Sequence, residues 1–201
     1  MSEWDGKVDP NDKEYDGKNG PDTRYCGAGK KALVPLGFER WKSSKGSAML
    51  SIMYGCILDL EKGGPDAGAV VWRNFALTQN AVQFFARFAR AMGFTTPFNV
   101  FSDEDVGAIL GKGACVGKVE VETYERRDGK EGHRSEVKFF DPFTGSWEPD
   151  FDALVAEMEE KWDEYLAFRA EHPRGAAPTG GGSGGGESGG GGSYSNEDIP
   201  F

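Results

Sequence analysis

The run Leu33-Val34-Pro35-Leu36-Gly37-Phe38-Glu39-Arg40-Trp41, the polar stretch Lys42-Ser43-Ser44-Lys45-Gly46 and the segment Ser47 to Leu58 decide how this chain is read. Two stretches rich in apolar and β-compatible residues flank a polar turn, which predicts a β-hairpin. Working outward, the turn Gly63-Gly64-Pro65-Asp66 leads to a third strand, Ala69 to Leu77. Cys115 to Arg127 and Gly132 to Phe140 give a second hairpin across Asp128-Gly129-Lys130. Between strands three and four, Gln79 to Met92 carries Val82, Phe85, Phe88, Ala89 and Met92 at helical spacing, with Thr78 placed to cap it and Gly93 to end it. Asp103 to Leu110 predicts a shorter helix capped by Ser102. The expected fold is mainly β: a five-stranded OB-fold barrel with a helix between its third and fourth strands.

Pro149 opens a third predicted helix, Asp150 to Glu171, on which Phe151, Leu154, Val155, Met158, Trp162 and Tyr165 form one apolar stripe among many acids. Such a stripe packs on its own domain or on a second copy of the chain, so a homodimer is a possible partner state. Past Pro173 the composition falls to Gly and Ser, which predicts a disordered linker; Gly175 to Ser193 would span roughly 25 Å on average. The first 23 residues have almost no aliphatic content and read as a flexible acidic arm. The expected organisation is thus an arm over 1–23, a barrel domain over 24–147, a C-terminal helix over 148–172, a Gly-rich linker over 173–193 and an acidic tip over 194–201.

The net charge of −10 is unevenly placed: 1–23 carry −4, 24–147 carry +3 and 148–201 carry −9. A mildly basic body therefore sits between acidic ends, which leaves a polyanionic partner open. Cys26, Cys56 and Cys115 lack any C-x-x-C spacing and are joined only by His133 and His172, so neither a disulfide framework nor a zinc site is expected. No metal or other cofactor is expected, and the acidic N-terminus with no long apolar run predicts a soluble, cytoplasmic protein with no membrane partner. No phosphate-binding Gly-rich loop precedes a helix and no nucleophile elbow occurs, so an enzyme is not expected. The acids Asp103, Glu104 and Asp105 fall in a first helical turn, where acids are favoured in any case.

The chain ends Tyr194-Ser195-Asn196-Glu197-Asp198-Ile199-Pro200-Phe201. This end resembles that of bacterial single-stranded DNA-binding proteins, in which an OB-fold and a low-complexity linker precede an acidic tip ending in Asp-Ile-Pro-Phe. A terminal Phe offers a ring and a carboxylate together, and Glu197 and Asp198 add attraction to a basic surface. The resemblance implies that Glu197, Asp198, Ile199, Pro200 and Phe201 recruit partner proteins. The body, from about Val34 to Phe140, resembles a family of phage proteins found among replication and recombination genes. That similarity runs through GFERWKSSKGSAMLSIMYGCIL, VVWRNFALTQNAVQFFARFARAMGF and VGKVEVETYERRDGKEGHRSEVKFF. It implies a role in phage DNA replication, recombination or repair in the cytoplasm of an infected bacterial host, with replication and recombination proteins as partners of the tip.

Single strands are held by cations that follow phosphates and rings that stack on bases. The first hairpin supplies Arg40, Trp41, Lys42 and Lys45; the third strand supplies Trp72 and Arg73. The second hairpin supplies Tyr124, Arg126, Arg127, Lys130, Arg134, Lys138 and Phe140. Flanking hairpin loops would bring the three clusters together on one open face, with Tyr124 the foremost base-stacking candidate. If Val71, Phe75 and Leu77 face the core, Trp72 faces the groove and Arg73 turns inward unless the strand bulges. The alternative function is a recombination mediator or adaptor whose barrel binds protein instead of DNA.

Overall fold

The computed structural model describes residues 26–43, 45–61, 66–125 and 131–173. It is mainly β, a five-stranded sheet with three helices: β1 (Gly29–Lys42), β2 (Ala48–Asp59), β3 (Val70–Ala76), α1 (Val82–Ala91), α2 (Asp103–Leu110), β4 (Cys115–Glu125), β5 (Glu131–Pro142) and α3 (Pro149–Glu171). β1, β2 and β3 form an antiparallel meander, and β4 and β5 a long hairpin. The hairpin joins the meander twice. β4 pairs with the first residues of β1, Gly29 to Leu33, and β5 meets β3 at one parallel pair, Trp72 opposite Glu136. The strand order is therefore β1-β2-β3-β5-β4, closing on itself.

Side chains alternate along strands, so closure gives the sheet an inner and an outer face. Leu33, Leu50, Ile52, Tyr54, Val71, Phe75, Val119 and Val137 fill the inside. α1 plugs one opening with Phe85 and Phe88, which meet Phe75 and Tyr54 edge-on at 5.3 and 5.6 Å between centroids. Gly93, at φ +78°, ends that helix as expected. Thr78 does not cap it with its side chain: the helix starts three residues later than the sequence suggested, and the Thr78 carbonyl accepts from Ala81 and Val82 in a preceding turn. α2 adds Val106 and Ile109 to the core, with Ser102 Oγ accepting from Asp105 N–H at its start.

β1 begins four residues before Leu33, and this draws Lys31 into the sheet opposite Asp59. Lys31 is fully buried. Its Nζ lies 2.7 Å from Asp59 Oδ2 and also pairs with Asp66, two carboxylates that offset the desolvation of the ammonium.

α3 lies across the outer face of β1 and β2, packing Phe151 and Met158 against Ala32, Val34 and Ile57. Further along, Tyr165 and Trp162 meet Met53, Val70 and Trp72. The apolar stripe read in the sequence is thus spent on the chain's own sheet. Two glycines make the close approach possible: Gly37 lies under Trp162 and Gly55 under Met158. A Cβ on Gly37 would stand 2.1 Å from Trp162 Cε2, too near for any rotamer adjustment short of moving the indole. Gly37→Ala should therefore cost about 1 to 3 kcal/mol by overpacking, and much less in a Trp162→Ala background. Denaturant unfolding of the four proteins of this cycle checks the contact; the same cost in both backgrounds would refute it.

Candidate nucleic-acid interface

The described parts of the two hairpins lie toward different ends of β3, and the loop of the second lies outside the described residues. Leu77 N–H donates to Ala48 C=O at 2.8 Å, so the β1–β2 turn, with exposed Lys42 and Lys45, stands beside the end of β3. β5 runs parallel to β3 with Glu136 opposite Trp72, so its first residue, Glu131, lies toward the start of β3. Arg126, Arg127 and Lys130 lie outside the described residues. Tyr124 stands in β4 opposite Gly132. The tip residues Glu197, Asp198, Ile199, Pro200 and Phe201 are likewise outside, as are the acidic arm and the linker.

Trp72 is corrected from a groove residue to a packing residue. It does face outward, opposite to Val71 and Phe75, but the outward face is where α3 lies. Its ring stands 4.6 Å from that of Tyr165 and 6.1 Å from that of Trp162, and only 9% of the residue is exposed. Tyr165 Oη continues the layer by donating to Glu39 Oε1 at 2.7 Å, while Arg169 Nε donates to Tyr165 Oη at 2.9 Å. The next cross-strand row is tied by polar bonds. Half-buried Trp41 donates through Nε1 to Ser51 Oγ at 2.7 Å, and Ser51 Oγ donates to Asn74 Oδ1 at 2.5 Å.

Phe140 is corrected too, for a different reason. Lys118 pairs with Phe139 but Val119 pairs with Val137, so Lys138 is the extra residue of a β-bulge. A one-residue slip exchanges the faces of everything beyond it. Phe140 therefore turns inward, 5.0 Å from Phe88 and 5.5 Å from Tyr54 between centroids, and Phe139 turns out, 57% exposed. The sequence reading singled out Phe140 and not Phe139, and a bulge of this kind is set by cross-strand register.

Of the six expected cations that lie among the described residues, four are held by carboxylates. Arg40 Nε binds Asp103 Oδ1 on α2 at 2.6 Å, and its guanidinium lies 5.7 Å from the Phe38 ring. Arg134 binds Glu122 at 2.8 Å. Lys138 lies 3.0 Å from Glu122 and also pairs with Glu136, which holds Arg73 as well. The Glu136 carboxylate raises the Lys138 ammonium above its ordinary range, and Lys138 with Arg134 lowers the Glu122 carboxyl. Arg73 does turn toward the side of Phe75, 5.7 Å over its ring. Of the candidates, Lys42 and Lys45 have no carboxylate partner among the described residues.

Where α1 crosses β3 and β5 there is an open cleft that the sequence reading did not single out. Its floor is Phe75 and Phe140, and Arg73 and Lys138 stand beside them. α1 adds Phe84, 44% exposed, and one turn later Arg87, whose guanidinium lies 5.8 Å over the Phe84 ring. β5 adds Phe139, with Lys118 Nζ 6.0 Å from its ring. Phe84 and Arg87 lie off the apolar stripe of their helix, and an aromatic on the polar side of a helix beside an Arg was the signal available for them. Among the described residues no group of His, Cys, Asp and Glu has the arrangement of a metal site, and no helix is long and apolar enough to cross a membrane. No family model matches the chain, and no curated protein matches it.

Trp72→Ala should remove about 3 to 5 kcal/mol of stability through the cavity left beneath α3. Thermal unfolding checks it; a variant that melts like the unaltered protein would place Trp72 outside the packing.

Proposed function

We propose that this chain is a single-stranded DNA-binding protein of the OB type that binds with little sequence preference and recruits partner proteins through its last residues. The observation that carries the reading is the strand order β1-β2-β3-β5-β4, with β3 and β5 parallel, on a chain that ends Asp198-Ile199-Pro200-Phe201. A parallel β3–β5 contact closing a meander onto a hairpin is how a five-stranded OB barrel closes, with α1 and α2 standing between strands three and four. The resemblance of the C-terminal tip to that of bacterial single-stranded DNA-binding proteins gives this scaffold its function. The likeness of the body to phage replication and recombination proteins supports a role in phage DNA replication, recombination or repair. The charge distribution agrees: the basic balance falls on the barrel and the acids on the ends.

One observation favours the adaptor as a second reading. α3 covers much of the β1–β3 outer face, the side on which an OB barrel ordinarily holds an oligonucleotide. Titration with poly(dT) separates the two. The DNA-binding reading expects a micromolar or tighter complex whose affinity falls steeply between about 50 and 200 mM salt, as counterions are released. Absence of binding at low salt, or binding indifferent to salt, would favour the adaptor.

Phe201→Ala keeps both acids and the terminal carboxylate but removes the ring. It should abolish capture of replication and recombination proteins from extracts while leaving poly(dT) affinity unchanged. Identical partner sets for the two proteins would refute the role of the tip.

A further inference from the structure

Resting on the DNA-binding reading, the geometry points to the cleft between α1 and the β3–β5 junction as a subsite for an unpaired nucleobase and its phosphate. Three independent features converge there. Phe84 and Phe139 keep large fractions of their rings in water, an unfavourable placement that stacking on a base would relieve. Both line one cleft, although one ring comes from a helix and the other from a strand. Around them are Arg73 and Lys138, which share the Glu136 carboxylate, and Arg87, which supplies the positive charge suited to a phosphate. Of these, Arg87 has no carboxylate partner among the described residues, so it can bind a phosphate without first giving up an ion pair.

The ligand class follows from this combination. Rings without cations would suit an apolar peptide, and cations without rings would suit a duplex backbone or a free anion. Rings with cations suit single-stranded nucleic acid, because only unpaired bases present free faces to a phenyl ring. α3 strengthens the assignment by exclusion, since Trp72 and Met53 lie beneath it and are not available to bases. A strand held in the cleft would also lie near Lys118, which stands over the Phe139 ring.

The test uses the full chain and fluorescein-labelled dT oligonucleotides, comparing the intact protein with Phe84→Ala/Phe139→Ala and with Arg87→Ala. The double Phe variant should bind about tenfold or more weakly, as loss of base stacking requires. Arg87→Ala should lower the slope of log affinity against log salt by about one. The replaced side chains are exposed, so thermal midpoints should stay close to that of the intact protein; should the double variant unfold, Arg87→Ala alone decides the matter through its salt slope. Ultraviolet cross-linking to bromodeoxyuridine-substituted oligonucleotide should label peptides from α1 and from the end of β5. Tight binding by the intact protein with unaltered affinity and salt slope in the cleft variants, or with label confined to the β1–β2 turn, overturns the cleft assignment alone. No binding by the intact protein overturns the DNA-binding reading and the cleft with it.

Discussion

β3 and β5 touch at a single parallel pair, Trp72 opposite Glu136, and much of the molecule follows from that contact. Without it the meander and the β4–β5 hairpin would be joined only through β1. With just one pair, the strands are close at Glu136 and free to part further along, and α1 sits over the parting with Phe85 and Phe88 in the core. The same pair fixes two electrostatic facts. Glu136 is brought within reach of Arg73 from β3 and Lys138 from β5, so one carboxylate binds a cation from each side of the junction. On the other face, Trp72 is presented to Trp162 and Tyr165 of α3.

The placement of α3 rests on absent side chains as much as on apolar ones. Gly37 and Gly55 lower the outer surface of β1 and β2 where Trp162 and Met158 come down, so the helix can approach far enough for Tyr165 to reach Glu39. Burial of Met53, Val70 and Trp72 follows from that approach. A helix held this closely takes that outer face out of solvent, while the row near the β1–β2 turn and the cleft beside α1 stay accessible.

The strands and helices were legible because their signals are local. Apolar, β-compatible runs around polar turns marked the hairpins, helical spacing marked α1 and α3, and Ser102 marked the start of α2. What was not legible depends on register or on distant partners. Nothing near Lys31 announces that Asp59 and Asp66 will receive it, so the buried ion pair it makes was not read from the sequence. The reason for Gly37 lies on α3, where Trp162 comes down on it, and nothing beside it in the sequence points there. The bulge at Lys138 is the most consequential case. Phe139 and Phe140 are chemically identical neighbours, and the pairing of Val119 with Val137 alone decides which enters the core. For the same reason the cations were legible as a population but not as a site: their sequence positions do not reveal that Arg40, Arg73, Arg134 and Lys138 each find a carboxylate.

Those ion pairs bear on how an acidic chain would hold a polyanion. A phosphate that takes Lys138 or Arg73 must first displace Glu136 or Glu122, so each such contact is an exchange of one anion for another and adds little net free energy. It also leaves a carboxylate beside the bound phosphate, and the repulsion between them lowers the return further. Affinity would then come chiefly from cations that enter the exchange without a partner, such as Arg87 among the described residues, and from stacking, which carries no charge. Stacking contributes nothing to the release of counterions, so the fall of affinity with salt reports the phosphate contacts of the cations, Arg87 among them, and not the rings of Phe84 and Phe139. In a chain whose ends carry −4 and −9, a site built on rings with few uncompensated cations is the arrangement that suffers least from the protein's own field.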